Sequence, residues 1–184
     1  MKQGNLAAYV LRISLTLLII TAVVALALAG VNSVTASRID QIKEEKIQAA
    51  MEEVLPGTQG LESVAFTDAT GTVQAVYASA DGYVVEVSPS GFGGVISMMV
   101  GIKADGTVSG ISIVSHTETA GLGAVAAADT SAGEAFRGQF AGLSGTLAVD
   151  KDGGTVDSIT SATITSRAVT AGVNAALEAV ANLG

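Results

Sequence analysis

The segment from Asp157 to Ser166 carries the densest group of side chains with chemical potential. It reads Asp-Ser-Ile-Thr-Ser-Ala-Thr-Ile-Thr-Ser, so six hydroxyl groups stand just before an apolar pattern typical of a helix. Unpaired N–H groups and the dipole at a helix start favour a bound anion, which predicts a phosphate site here. The same residues also suit a polar turn in which Thr165 or Ser166 caps the helix.

Two further segments combine glycines with polar or aromatic residues. Residues 115–123 read Ser-His-Thr-Glu-Thr-Ala-Gly-Leu-Gly, and residues 91–94 read Gly-Phe-Gly-Gly. Glycines permit backbone conformations with positive φ and the close approach of another group. Taken alone, His116 fits a structural histidine at the end of a strand, and glycine turns between strands are common.

The first segment resembles the attachment motif of the FMN-binding family, in which an aspartate is followed by Ser or Thr, Gly, Ala and a modified Thr. Asp157, Thr160, Ala162 and Thr163 match this motif, while Ser161 stands where the family usually has glycine. The resemblance implies flavin mononucleotide (FMN) held covalently, its phosphate forming a phosphoester with Thr163. A positive φ at Ser161 would be strained.

The segment 115–123 is similar to a loop of the G subunits of Rnf-type complexes. That loop contains Ser-His, then Glu-Thr, then Pro-Gly-Leu-Gly, and this chain has Ala120 in place of the proline. The resemblance implies that this loop lies against the flavin. Glu118 and Thr119 are then candidate contacts, and Leu122 is expected to pack on the ring. The cofactor-binding candidates of this loop are His116, Glu118, Thr119, Gly121, Leu122 and Gly123.

The three segments occur in family order over about residues 91–169 and imply an electron-transfer subunit of an Rnf ion-translocating ferredoxin:NAD oxidoreductase. Such a subunit is not catalytically complete alone, and no residue is assigned a catalytic or metal-binding role. The implied partners are the other membrane, iron–sulfur and flavin subunits of the complex, with a flavin transferase for maturation. The flavin supplies the redox chemistry and the protein supplies position and electrostatics.

Three alternatives remain open from the sequence. The chain could be the C subunit of a sodium-pumping NADH:quinone reductase or a free-standing extracytoplasmic flavoprotein. From another class, it could be a non-redox assembly module that docks partners through an acidic domain. Flavin that stays on the denatured protein would distinguish a flavoprotein from a non-redox assembly module.

Composition excludes several other functions. The 184 residues have a net charge of -8, and because residues 1–31 hold Lys2 and Arg12 but no acid, the remainder carries -10. Nucleic acid is therefore not a predicted partner, since phosphate backbones need a basic surface. The chain has no cysteine, which excludes thiolate-held iron–sulfur clusters, and its single histidine makes a histidine-rich metal site improbable. Any redox cofactor must be organic.

A transmembrane anchor is predicted near the N-terminus. From Ile13 to Val31 the chain has no charge, and this run is long enough to cross a bilayer as a helix of about 28 Å. Lys2 and Arg12 place the N-terminus in the cytoplasm, so the rest lies outside the cell membrane. Residues 1–36 form the expected anchor and residues 37–184 the FMN-binding domain. A cleaved signal peptide is the alternative.

The predicted fold class is α+β, with one antiparallel sheet and flanking helices. Alternating apolar residues and the turn dipeptides Asp81-Gly82 and Asp105-Gly106 predict the sheet. The predicted strands are 72–78, 83–88, 95–102 and 107–115, with short strands at 146–149 and 155–156. Helices are predicted at 39–54, 133–140 and 166–183.

Overall fold

The N-terminal third is one long helix. The computed structural model describes residues 3–58, 60–68 and 70–183, and its contacts divide the chain into two units between Glu45 and Lys46. Helix α1 spans Gln3–Val54. Among the described residues, α1 is the one helix that is long and apolar enough to cross a bilayer. The large apolar side chains of α1 that belong to the first unit are exposed.

The helix predicted at 39–54 is confirmed, including its end at Val54, but it is the last part of α1 rather than a separate element. No proline interrupts this stretch. The hydroxyls of Ser33 and Thr35 donate to Gly30 O and Val31 O of their own helix, each at 2.9 Å. These residues therefore continue the helix rather than end it.

The second unit contains a five-stranded antiparallel sheet in the order β1-β2-β3-β4-β5, which confirms the α+β class. Its strands are β1 Glu62–Val64, β2 Val73–Ala78, β3 Gly82–Val87, β4 Ser97–Lys103 and β5 Val108–Ser115. Each strand pairs with its neighbours in sequence. The sequence prediction missed the short β1.

Three hairpin turns connect β2 to β5. The predicted turns at Asp81-Gly82 and Asp105-Gly106 are confirmed, the latter with Gly106 at φ +81°. Between β3 and β4 the hairpin extends to a bridge between Ser90 and Val95, and Gly91 N–H donates to Gly94 O at 2.7 Å. The glycine segment is therefore a hairpin tip, at the sheet end where β5 finishes opposite the start of β4.

The end of α1 covers one face of the sheet. Met51 and Val54 are buried there against Val84, Met99 and other side chains of that face. Gly101 allows this approach, since a Cβ at that position would collide with the Val54 carbonyl. The contact fixes the last turn of α1 to the middle of the sheet.

Helices α2 (Ser131–Gly138) and α3 (Thr163–Ala181) belong to the core on the other face. Val169 and Val173 of α3 are fully buried in this core, as is Phe140 just after α2. The rings of Phe136 and Phe140 pack edge to face with centroids 5.6 Å apart. The sequence predicted both helices within a few residues of these bounds.

The predicted strands at 146–149 and 155–156 are wrong. In the described residues this region has only an isolated parallel bridge between Val149 and Val156. The side-chain amide of Asn174 instead accepts from Leu147 N and donates to Leu147 O, both at 2.8 Å. A side chain of α3 thus takes the place of a neighbouring strand.

Candidate functional site

The first three residues of the segment before α3 are each held by a hydrogen bond to a side chain. Gln139 accepts from Asp157 N at 2.7 Å and donates to Asp157 O at 3.2 Å. Asp150 Oδ1 accepts from Ser158 N at 3.0 Å. Ile159 N donates to the hydroxyl of Ser166 at 3.0 Å. These bonds fix the path of the chain into the helix.

Asp150 and Asp152 support the same region electrostatically. Hydrogen bonds from Ser158 and from the Lys151 ammonium hold the pKa of Asp150 well below its ordinary value. Asp152 forms a two-point ion pair with Arg167 of α3, which lowers the pKa of Asp152 and raises that of Arg167. The charged groups are all exposed, so they position the segment more than they stabilise the domain.

Ser161 turns the chain into α3 with φ +63°, the only positive φ of a described residue other than glycine. Its neighbour Ala162 donates N–H to Ile159 O at 2.9 Å and closes a tight turn. The left-handed conformation is unfavourable for a side chain with a Cβ. Backbone strain is therefore stored next to Thr163.

The first turn of α3 has no side-chain cap. The helix begins at Thr163 after Ala162, which has no side-chain group that could accept a hydrogen bond. The predicted capping by Thr165 or Ser166 is wrong, because Thr165 donates to Glu118 and Ser166 donates to Ala162 O. First-turn N–H groups are thus left for an anion, and the half-buried Thr163 lies at that position.

A cleft of about 310 Å³ joins this helix start to the two other segments singled out in the sequence. Its lining comes from the glycine turn, the 115–123 loop and the attachment segment. The lining residues are Phe92, Glu118, Thr119, Leu122, Gly123, Ser161, Ala162, Thr163, Ile164 and Thr165. The volume lies within the range of about 300 to 1,000 Å³ of small-molecule sites.

The walls of the cleft are apolar and open to solvent. Phe92 is 69% exposed, Leu122 42% and Ile164 51%. Among the described residues after Lys46, the only other large hydrophobic side chain exposed to this degree is Val95, at the base of the Phe92 turn. Exposed apolar side chains gathered at one place mark a binding surface.

The floor of the cleft holds the buried carboxylate of Glu118, which is 8% exposed. Its Oε1 accepts from Gly93 N at 2.8 Å, and its Oε2 accepts from the Thr165 hydroxyl at 2.5 Å. Of the described residues that line the cleft, none is a lysine, arginine or histidine. A phosphate in this cleft would meet the helix start rather than a cationic side chain.

Four of the predicted site residues lie outside this cleft. Asp157, Thr160 and Gly121 line a separate cavity of about 530 Å³. His116 is half-buried, and its Nδ1 accepts from Glu118 N at 3.2 Å, so it shapes the loop. The other seven predicted residues line the cleft.

The sequence prediction missed three residues of the cleft: Phe92, Ile164 and Thr165. Phe92 could have been predicted as a site residue, because it is the lone aromatic residue of a glycine turn. Ile164 could also have been predicted, since it is an apolar side chain among hydroxyl residues at the start of a helix. Thr165 was assigned to capping, and only the long-range bond to Glu118 reveals its place.

The residues that line the cleft fall within the part of the chain that is similar to known proteins. Residues 91–178 match a family model described as FMN-binding domain. The chain is 34% identical to the G subunit of the Na⁺-translocating ferredoxin:NAD⁺ oxidoreductase complex of Acetobacterium woodii, over 95% of this chain and 93% of that protein. It is 33% identical to the G subunit of the ion-translocating oxidoreductase complex of Methanosarcina acetivorans, over 92% and 93%.

Proposed function

Because the chain belongs to the family of FMN-binding G subunits of ion-translocating oxidoreductase complexes, we propose that it relays electrons through an FMN bound covalently to Thr163. The observation that carries this proposal is the single cleft in which all three sequence segments meet. Thr163 lies there at an uncapped helix start, beside three exposed apolar side chains.

The residues of the cleft fit the two halves of FMN. The phosphate matches the open N–H groups at the start of α3. The flat, largely apolar ring matches the walls formed by Phe92, Leu122 and Ile164. When bound, the flavin supplies one-electron transfer, and the chain supplies its position and local charge.

A covalent bond also agrees with the charge of the site. The only favourable charge that a free phosphate group would meet in this cleft is the partial charge of the helix terminus, which contributes about 0.3 to 1 kcal/mol near a surface. That is too little to retain a cofactor on its own. A phosphoester of Thr163 holds the cofactor without any cationic side chain.

Attachment requires an activated donor. The Thr163 oxygen forms a bond to phosphorus and its hydroxyl proton leaves, so the donor must lose a group from the same phosphorus. A flavin nucleotide that contains a pyrophosphate can provide this, because its P–O–P bond breaks as the Thr163 bond forms. A flavin transferase is the proposed partner that catalyses this step.

The test is fluorescence of the denatured chain in a gel, after production in cells that contain a flavin transferase. Thr163→Ala is expected to abolish the signal, Thr163→Ser to retain part of it and the exposed control Thr155→Ala to leave it unchanged. An alanine is tolerated at a helix start, so folding is not at risk. Equal fluorescence in the wild type and Thr163→Ala would refute the assignment.

We also propose that the FMN domain, residues 37–184, lies outside the cytoplasm and meets the other subunits of the complex there. The support is the pair of basic residues, Lys2 and Arg12, before the apolar part of α1. The chain has no cysteine, so Asp81→Cys in the exposed β2–β3 turn provides a unique thiol. A membrane-impermeant maleimide should label it in intact cells. Labelling only after lysis would show that the domain lies in the cytoplasm and would contradict the proposed orientation.

A further inference from the structure

Glu118 connects two walls of the cleft that are far apart in sequence. One oxygen of its carboxylate binds the backbone of the Phe92 turn through Gly93 N, and the other binds the first turn of α3 through the Thr165 hydroxyl. The carboxylate and this hydroxyl are both buried, so water competes little for either bond. The two bonds therefore form a cross-brace beneath the position proposed for the flavin ring.

The surrounding glycines show that the packing around this carboxylate is tight. A Cβ at Gly91 would collide with Glu118 Oε1. A Cβ at Gly123 would collide with Glu118 Oε2 and with the Thr165 hydroxyl. In addition, the Thr117 hydroxyl donates to Gly93 O at 3.0 Å, which ties the same turn to the loop a second time.

We propose that Glu118 is a positioning residue that fixes the distance between the Phe92 turn and the start of α3 and thereby immobilises the flavin ring. This rests on the proposed attachment of FMN to Thr163, which fixes only the phosphate end of the cofactor. The ribityl chain between phosphate and ring is flexible. The ring is held only if the two walls stay at a fixed separation, and the Glu118 brace sets that separation.

Four substitutions separate the brace from the charge. Glu118→Gln removes the charge but can keep both bonds, because its amide oxygen accepts from Gly93 N–H and its NH₂ group donates to the Thr165 hydroxyl. Glu118→Ala removes charge and brace together. Thr165→Val and Gly123→Ala keep the charge but break the bond to α3, by removing the hydroxyl or by wedging it away.

The experiment uses the full chain in detergent micelles, with flavin loading verified by intact mass. Fluorescence anisotropy of the attached flavin reports ring mobility, and hydrogen exchange of residues 90–96 in the flavin-free chain reports the Gly93 bond. Glu118→Ala, Thr165→Val and Gly123→Ala are expected to lower the anisotropy. Glu118→Ala should also accelerate exchange at Gly93 about tenfold or more. Glu118→Gln should match the wild type in both measurements.

Asn174→Ala is the matched control for general destabilisation, because Asn174 makes two hydrogen bonds to Leu147 but does not line the cleft. It should lower the melting temperature without changing the anisotropy. If Glu118→Ala does not fold, Thr165→Val and Gly123→Ala carry the test. Unchanged anisotropy in loaded Thr165→Val and Gly123→Ala, or a Glu118→Gln variant as mobile as these two, would overturn the proposal. Absence of FMN from the wild-type chain would instead overturn the attachment at Thr163.

Discussion

Replacing Ser161 by glycine tests whether the attachment turn stores backbone strain. Ser161 is exposed and adopts φ +63° next to the proposed FMN residue. Its side chain makes no hydrogen bond within the described structure, so Ser161→Gly removes a Cβ without removing a hydrogen bond. The substitution also restores the residue usual at this position of the family motif.

The expected gain follows from two opposing terms. A left-handed conformation costs about 1 to 2 kcal/mol for a residue with a Cβ. Glycine loses about 0.5 to 1 kcal/mol more backbone freedom on folding than alanine does. The net effect of Ser161→Gly is a stabilisation of about 0.5 to 1 kcal/mol, which raises the melting temperature by about 1 to 4 °C.

Scanning calorimetry of the flavin-free full chain in detergent measures this difference. Ser161→Ala is the control, because it removes the hydroxyl but keeps the Cβ and hence the strain. If the turn is strained, Ser161→Gly gains stability and Ser161→Ala does not. An equal gain in both variants, or a loss of stability in Ser161→Gly, would refute the reasoning.

Three further predictions concern charge and domain structure. The pKa of Asp150 is lower in the folded chain than its ordinary value of about 4, so its bond to Ser158 stabilises the native state above about pH 4. This stabilisation is lost as the pH falls below about 4, and the difference in stability between wild type and Asp150→Asn should shrink there. In the loaded protein, Glu118→Gln should raise the flavin midpoint potential in a redox titration, because a nearby negative charge disfavours the reduced anionic ring; an unchanged potential would place the carboxylate too far from the ring. Deleting residues 1–36 should yield a folded soluble domain in gel filtration. Deleting residues 1–55 should unfold the domain, because it removes the buried end of α1. Membrane association of the chain that lacks residues 1–36 would contradict the single anchor.

Local sequence patterns predicted the sheet well. The Asp-Gly dipeptides limit the chain to tight reversals, and alternation of apolar residues determines which side chains face each layer. Val84 and Val85 accordingly belong to the cores on opposite faces of the sheet. The short β1 was not predicted because its three residues show little alternation and depend on pairing with β2.

The composition of the cleft was partly predictable and its contacts were not. The attachment motif and the 115–123 loop each supplied residues that line the cleft, including Thr163 and Leu122. Sequence spacing offered no reason for Thr165 to reach Glu118, since the bond joins residues 47 positions apart. Capping by Thr165 was predicted wrongly for the same reason, because its hydroxyl bonds to this distant partner, whereas the Ser166 hydroxyl donates to Ala162 O of its own helical turn.

The most direct test of covalent attachment at Thr163 is tandem mass spectrometry of the tryptic peptide between Lys151 and Arg167. The peptide Asp152–Arg167 contains Thr163 together with six other hydroxyl residues, so its fragment ions distinguish among all candidates. For chain purified from cells that contain a flavin transferase, we expect the added mass of one FMN less one water, located on Thr163. An unmodified peptide, or FMN on any of the other six hydroxyls, would contradict the proposed attachment.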